Sequence, residues 1–249
     1  MEFEATLGAS SPGEFSLDGT EVVIWRAALD CAESALQTLE ATLSQDEKRR
    51  ADRFHFPQDR AHFVAARGIL RKLIGAYLLR DPVDLRFRYG PQGKPQLEPH
   101  NSNQSLAFNV SHKHGLAVYT FARGRNLGID LEAIAPEFPG EEIARRFFSR
   151  RELEELLALP PDSRAEGFFL GWTRKEAYIK ARGQGLQIQL DSFSVCLTPG
   201  EPAGFRSGVA PEWQMISFAL DRDHPCAVVC DGPRNPRVRL LSVPLEFAL

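Results

Sequence analysis

No part of the chain approaches the roughly 18 consecutive apolar residues that a membrane-spanning helix needs. The longest apolar runs, residues 115–122 and 225–230, are far shorter, which excludes a span. The start, Met-Glu-Phe-Glu, is acidic and leads into no apolar segment, so no secretory signal is expected and the protein reads as cytoplasmic. Cysteine is scarce: Cys31, Cys196, Cys226 and Cys230 are irregularly spaced and form no CxxC pair. That excludes a disulfide framework and suits reduced, buried thiols. Positive charge is not in excess either. A net charge of −3 argues against the broad basic face of a general nucleic-acid binder. A Walker P-loop, a GxGxxG after a strand, a GxSxG elbow and an HExxH helix are all missing, which removes the commonest nucleotide-binding and hydrolase readings.

What is present is an ordinary globular composition. The 249 residues are 43% hydrophobic and 25% charged, with 17 Phe, enough for a sizeable core in one large or two small domains. The charges are unevenly placed. Residues 44–94 carry twelve Lys/Arg against six Asp/Glu, and residues 130–166 carry five against ten. The first stretch suits an anionic ligand and the second a cation, while solvated helix faces account for both equally well on charge alone.

Pattern gives the organisation. Residues 1–20, rich in Gly, Ser and Glu, read as a loose arm, followed by a strand at 21–25. Helical spacing of apolar residues covers 31–43 and 60–79, and Ser44 with Glu47 forms a capping box between them. Arg67 and Arg71, four apart, project from one side of the second helix. A strand at 85–89 runs into the turn-rich loop 90–95. A hairpin follows over 106–121, then a strand at 127–132 in which Asp130 and Glu132 share one face while Ile129 and Leu131 take the other. The second half repeats the order: a helix at 141–148, a second capping box at Ser149 and Glu152, a long helix from about 164 to 182 ending at Gly183-Gln184-Gly185, and strands at 193–197, 213–219 and 227–229. Helices and hairpins without regular βαβ alternation predict an α+β fold. Its two similar halves divide at residues 1–124 and 125–249, each a small antiparallel sheet packed with helices.

Asp130, Glu132 and Glu176 are the sharpest constellation. Two carboxylates on a strand face and a third from a helix are the hard oxygen ligands that Mg²⁺ accepts. Trp172, Glu176 and Lys180 recur at i, i+4 and i+8, which suggests a cleft, although an i, i+4 salt bridge on a solvated face gives the same spacing. His112 follows Ser111 at a hairpin turn, where an imidazole can serve a phosphate or act as acid or base. His112 with His114 makes an HxH pair, but no third ligand stands at recognisable spacing, so zinc is not expected.

Taken in order, several short segments resemble the Sfp-type 4′-phosphopantetheinyl transferases. They are Arg53-Phe54 with the helix of Arg67, Gly93-Lys94-Pro95, Phe108-Asn109-Val110-Ser111-His112, Gly128-Ile129-Asp130-Leu131-Glu132, and Phe147-Phe148-Ser149 leading to Trp172-Thr173-Arg174-Lys175-Glu176-Ala177-Tyr178-Ile179-Lys180 and Gly183-Gln184-Gly185-Leu186. The resemblance spans residues 44–231 and suits the single-chain members whose two halves are related by a pseudo-twofold, hence a monomer. It implies transfer of phosphopantetheine from coenzyme A to a serine of an apo acyl carrier protein or peptidyl carrier domain, releasing 3′,5′-ADP. By the same resemblance Asp130, Glu132 and Glu176 hold Mg²⁺, with Mn²⁺ as the alternative. Glu176 is the general base, and Lys180 stabilises the phosphate or leaving group. Arg53, Arg67, Lys94, Ser111, His112 and Lys180 meet coenzyme A, the 125–249 half carrying the acids and the catalytic helix. No nucleic acid or membrane partner is implied. A Mg²⁺-dependent pyrophosphatase acting on coenzyme A-like substrates and a silent coenzyme A- or carrier-binding module are the rival readings.

Overall fold

The computed structural model describes residues 15–90, 93–98 and 106–243. Of the loose arm expected over 1–20, residues 1–14 lie outside the described residues, as does the Pro91-Gln92 tip of the loop 90–95. The last part of the arm is packed down: Phe15 stacks on Trp25 and Leu17 is buried. No helix among the described residues is long and apolar enough to cross a membrane.

Strand β1 (Glu21–Ala28) is an unbroken apolar run from Val22 to Trp25 because both its faces are covered there. Val23 and Trp25 face a helical layer, and Val22 and Ile24 face a second sheet. Helix α1 (Glu33–Ala41), the short α2 (Gln45–Ala51) and the 22-residue α3 (Pro57–Leu78) follow. Leu70 and Ile74 of α3 seat on Trp25, Tyr119 and Phe121. A small hairpin, β2 (Phe87–Tyr89) with β3 (Pro95–Leu97), precedes the long hairpin of β4 (Leu106–Lys113) and β5 (Leu116–Arg123). His114 and Gly115, both with positive φ, make its two-residue turn, the backbone that matches the right-handed twist of the strands.

The second half opens with β6 (Leu127–Leu131) and continues through α4 (Gly140–Phe147), α5 (Arg150–Ala158) and α6 (Pro161–Arg182). Like α3, α6 has 22 residues and a proline in its first turn, where the missing N–H costs nothing. The short pair β7 (Ser194–Val195) and β8 (Phe205–Ser207) is followed by β9 (Gln214–Ala219), β10 (Pro225–Cys230) and β11 (Arg237–Ser242). One sheet runs β11-β1-β5-β4 and another β6-β10-β9. Ile129, Val228 and Leu127 of the second sheet pack against Val22, Ile24 and Val118 of the first. This is the α+β architecture expected. One departure from antiparallel pairing stands out: β11 runs parallel to β1, with Trp25 opposite Leu241. A strand from the last part of the chain thus completes the sheet of the first.

Both expected capping boxes form, and each does more than start a helix. The Ser44 amide donates to Glu47 Oε2 at 2.9 Å and the Ser149 amide to Glu152 Oε2 at 2.7 Å. Glu47 is also gripped by Arg67 Nε and, at 2.6 Å, by Arg71 Nε, both from α3. Burial pushes its carboxyl up, but Arg67, the Ser44 amide and Arg71 outweigh that and hold it below the ordinary glutamate value. Glu152 Oε1 takes Lys175 Nζ of α6 at 2.8 Å and the Val195 amide at 2.8 Å, while Lys175 also donates to the Phe193 carbonyl at 2.7 Å. Both partners are sealed from solvent.

Removing one member of such a pair leaves an uncompensated buried charge. Lys175→Met is therefore expected to cost about 3–5 kcal/mol in urea unfolding. Adding Glu152→Gln should return part of that loss.

Candidate active site

The site is built where β6 lies against α6. A Cβ on Gly128 would stand 2.2 Å from Ala181 N and 2.3 Å from Ala177 O, so only glycine lets strand and helix backbones come this close. The next carboxylate on that face, Asp130, consequently meets the polar side of α6. Lys180 Nζ lies 2.6 Å from Asp130 Oδ1 and 3.2 Å from Ser111 Oγ, and Ser111 Oγ donates to Asp130 Oδ1 at 3.1 Å. Strand β4 runs alongside β6 in the same direction. Asn109 Oδ1 accepts the Ile129 amide at 2.8 Å, Ser111 reaches Asp130, and Lys113 Nζ lies 2.7 Å from Glu132 Oε2. Alternate residues of β4 thereby attend Ile129, Asp130 and Glu132 in turn.

Two observations fit this donor set to a hard divalent cation. Asp130 Oδ2 is buried with no hydrogen-bond partner, a costly state for a carboxylate oxygen unless a cation completes it. Burial first, then Asp130 and Glu132, push the Glu176 carboxyl above its ordinary value against the opposing pull of Lys180, as expected where acids converge without enough positive charge. The three carboxylates are not drawn tightly together. Among the described residues the donor group lying within 4.8 Å is instead Glu155, Cys196 and Glu201. Its oxygens are already engaged by Thr198 and Arg206.

A cleft of about 820 Å³ adjoins the acids on the side of the first half, with Arg67, His112, Lys113 and Tyr89 on its wall. His112 opens into it. Desolvation, then Lys180 and His62, hold the His112 imidazole below its ordinary pKa, so it is neutral at pH 7. Arg67 is set into the wall: Nη2 donates to Tyr89 Oη at 2.8 Å, and the guanidinium lies 4.3 Å from the centre of the Phe87 ring. Arg53 is exposed and lines a neighbouring groove with Arg49 and Arg50. Glu176 and Lys180 share a smaller pocket of about 230 Å³ with Lys94, Gly183 and Gly185.

The residues singled out in the sequence are thus distributed over one continuous region. Asp130, Ser111 and Lys180 touch one another, Glu176 and Glu132 lie close enough to be felt electrostatically, and Arg67 and His112 flank the cleft. Arg53 stands apart on the neighbouring groove, and the Lys94 ammonium is turned to main-chain carbonyls. Sequence reasoning missed Lys113 as the partner of Glu132 and Glu47 as the acid beneath Arg67. Both had a signal: Lys113 is two residues from Ser111 on the same strand face, and two arginines four apart on a helix call for a shared acid.

Comparison with known proteins agrees with this geometry. Residues 126–229 match the model of the 4′-phosphopantetheinyl transferase superfamily, and residues 27–122 match a 4′-phosphopantetheinyl transferase N-terminal model. The chain is 42% identical over 221 residues to the 4′-phosphopantetheinyl transferase HetI of Nostoc sp. (strain PCC 7120), covering 89% of this chain and 92% of that protein. It is 33% identical to the 4′-phosphopantetheinyl transferase Sfp of Bacillus subtilis (strain 168) over 62% of this chain and 66% of that one. It is 28% identical to the human L-aminoadipate-semialdehyde dehydrogenase-phosphopantetheinyl transferase over 79% and 69%. With a relative matched at this level along nearly its whole length, the chain belongs to the 4′-phosphopantetheinyl transferase superfamily and is an enzyme of that transferase class.

Proposed function

We propose that the chain moves the 4′-phosphopantetheine of coenzyme A onto the serine hydroxyl of an apo acyl carrier protein or peptidyl carrier domain, in the cytoplasm and as a monomer. The observation that carries this reading is the meeting of Asp130, Ser111 and Lys180 beside a cleft walled by Arg67 and His112. A phosphate-binding wall and an acid–lysine centre are what attack on a pyrophosphate requires. In this scheme residues 1–124 hold the donor and residues 125–249 supply the acids and the catalytic helix.

Arg67 and His112 would hold the phosphates of coenzyme A, with Ser111 at the inner end of the cleft and Arg53 at the neighbouring rim. Asp130, Glu132 and Glu176 would hold Mg²⁺ or Mn²⁺, whose chemistry when bound is to neutralise charge across the pyrophosphate. The carrier serine oxygen forms a bond to the phosphorus that bears pantetheine, the bond from that phosphorus to the bridging oxygen breaks so that 3′,5′-ADP leaves with that oxygen, and the hydroxyl proton passes to Glu176. The raised Glu176 carboxyl suits that role, because a carboxylate destabilised by burial and like charge accepts a proton more readily. Lys180, extended over Asp130, is placed to stabilise the departing phosphate.

Incubation with coenzyme A, Mg²⁺ and an apo carrier should add one phosphopantetheinyl group to the carrier, read by intact-protein mass spectrometry. EDTA should abolish the gain, and so should Asp130→Ala with circular dichroism unchanged. Breakdown of coenzyme A without a carrier would assign a pyrophosphatase instead, and binding without either reaction a silent module. Since His112 is neutral in the free protein and would be charged beside a phosphate, donor binding should take up a proton. Affinity for coenzyme A should therefore fall as pH rises from 6 to 8 in calorimetric titrations, by up to about tenfold per pH unit. His112→Ala should flatten that slope; a slope that survives would remove the imidazole from the phosphate site.

A further inference from the structure

We propose that Lys94 is a positioning residue for the catalytic helix and not a ligand of the donor phosphates: its ammonium ties the β2–β3 hairpin to the seam that sets Asp130 against Lys180. The proposal rests on the transferase reading above and concerns how its two halves are held in register.

Lys94 sits in a closed turn, in which the Gly90 amide donates to the Lys94 carbonyl at 3.0 Å and the Gly93 amide to the Gly90 carbonyl at 2.8 Å. From there the side chain crosses to the other half and donates to two main-chain oxygens, Lys180 O at 2.6 Å and Leu127 O at 2.9 Å. Neither acceptor is incidental. Lys180 lies in the last turn of α6, where no i+4 amide of the helix reaches its carbonyl, the capping Gly183 amide approaches only to 3.3 Å, and the helix dipole favours a cation. Leu127 opens β6, the edge strand of its sheet, so its outer carbonyl needs a donor from elsewhere. One ammonium thus bridges the strand and the helix that Gly128 brings into backbone contact.

Turning Lys94 toward a phosphate would break both bonds, stripping the Leu127 carbonyl of its donor and leaving the Lys180 carbonyl with the longer bond from the Gly183 amide at 3.3 Å. No acid pairs with the ammonium among the described residues, and burial, then Lys180, lowers it to about 8, as suits a donor serving neutral carbonyls. The hairpin also carries Tyr89, which holds Arg67 at the cleft. A single short hairpin therefore touches the proposed phosphate wall at one end and the backbone beneath Lys180 at the other.

The test compares the parent protein with Lys94→Met and Lys94→Arg in two ways. In carrier modification with coenzyme A and with 3′-dephospho-coenzyme A, Lys94→Met should lower kcat about 10- to 100-fold with both donors, as misplacement of reacting groups does. The KM for coenzyme A should hardly move, and Lys94→Arg, able to span two carbonyls, should recover much of the rate. By hydrogen exchange without substrates, Lys94→Met should speed exchange in the last turn of α6 and at the start of β6. A rise in KM confined to coenzyme A and absent with the dephospho donor would overturn the proposal and make Lys94 a phosphate ligand. So would unchanged exchange in both segments. Should Lys94→Met fail to fold, Lys94→Gln is read by the same criteria. If the parent transfers nothing, the functional reading fails, while the exchange comparison still decides the role of Lys94.

Discussion

Glu47 and Glu152 each hold one half of this protein together from within. Each occupies the third position of a short helix, where it closes a capping box, and each is buried under cations from the long helix that follows. A lone carboxylate so placed would be strongly unfavourable. The cations on α3 and α6 are thus obliged to face inward at one height, and that fixes the axial position of both long helices against their short neighbours. The halves satisfy the constraint differently. In the first, two arginines share Glu47 and Arg67 still reaches the cleft wall; in the second, Lys175 is consumed completely, and Glu176 and Lys180 are left to line the smaller pocket. In the proposed function, a shared structural device leaves phosphate recognition on one side and proton transfer on the other.

Between them lies the seam of β4, β6 and α6. Its lysines and carboxylates are already paired, Lys180 with Asp130 and Lys113 with Glu132. The acids are in this way oriented, while the unpartnered Asp130 Oδ2 and the raised Glu176 show that charge is still lacking. Fixed charges of this kind do not have to reorganise when a reacting phosphate arrives, which is where electrostatic stabilisation gains most of its effect.

Much of this was legible in the chain. The Ser-x-x-Glu boxes, the alternation that puts Asp130 and Glu132 on one face, and the helix carrying Glu176 and Lys180 are local patterns, and they formed as read. What was not legible depends on partners distant in sequence. Strand β11, Arg-Val-Arg-Leu-Leu-Ser, shows little one-sided apolar pattern because its arginines answer Glu21 on β1. Strand β8 is three residues long and largely exposed. The destination of Lys94 could not be read either, since a main-chain carbonyl leaves no trace in side-chain sequence.

The return of β11 to β1 makes the second half, in topological terms, an insertion into the sheet of the first. As the chain leaves the ribosome, β1 can pair with β5 early, but its other edge stays open until residues 237–242 emerge. Val22 and Ile24, which face the second sheet, likewise wait for β6 and β10. Neither half can finish folding alone, and the interval between synthesis of β5 and β11 is when an unpaired, apolar strand edge is most open to association with other chains.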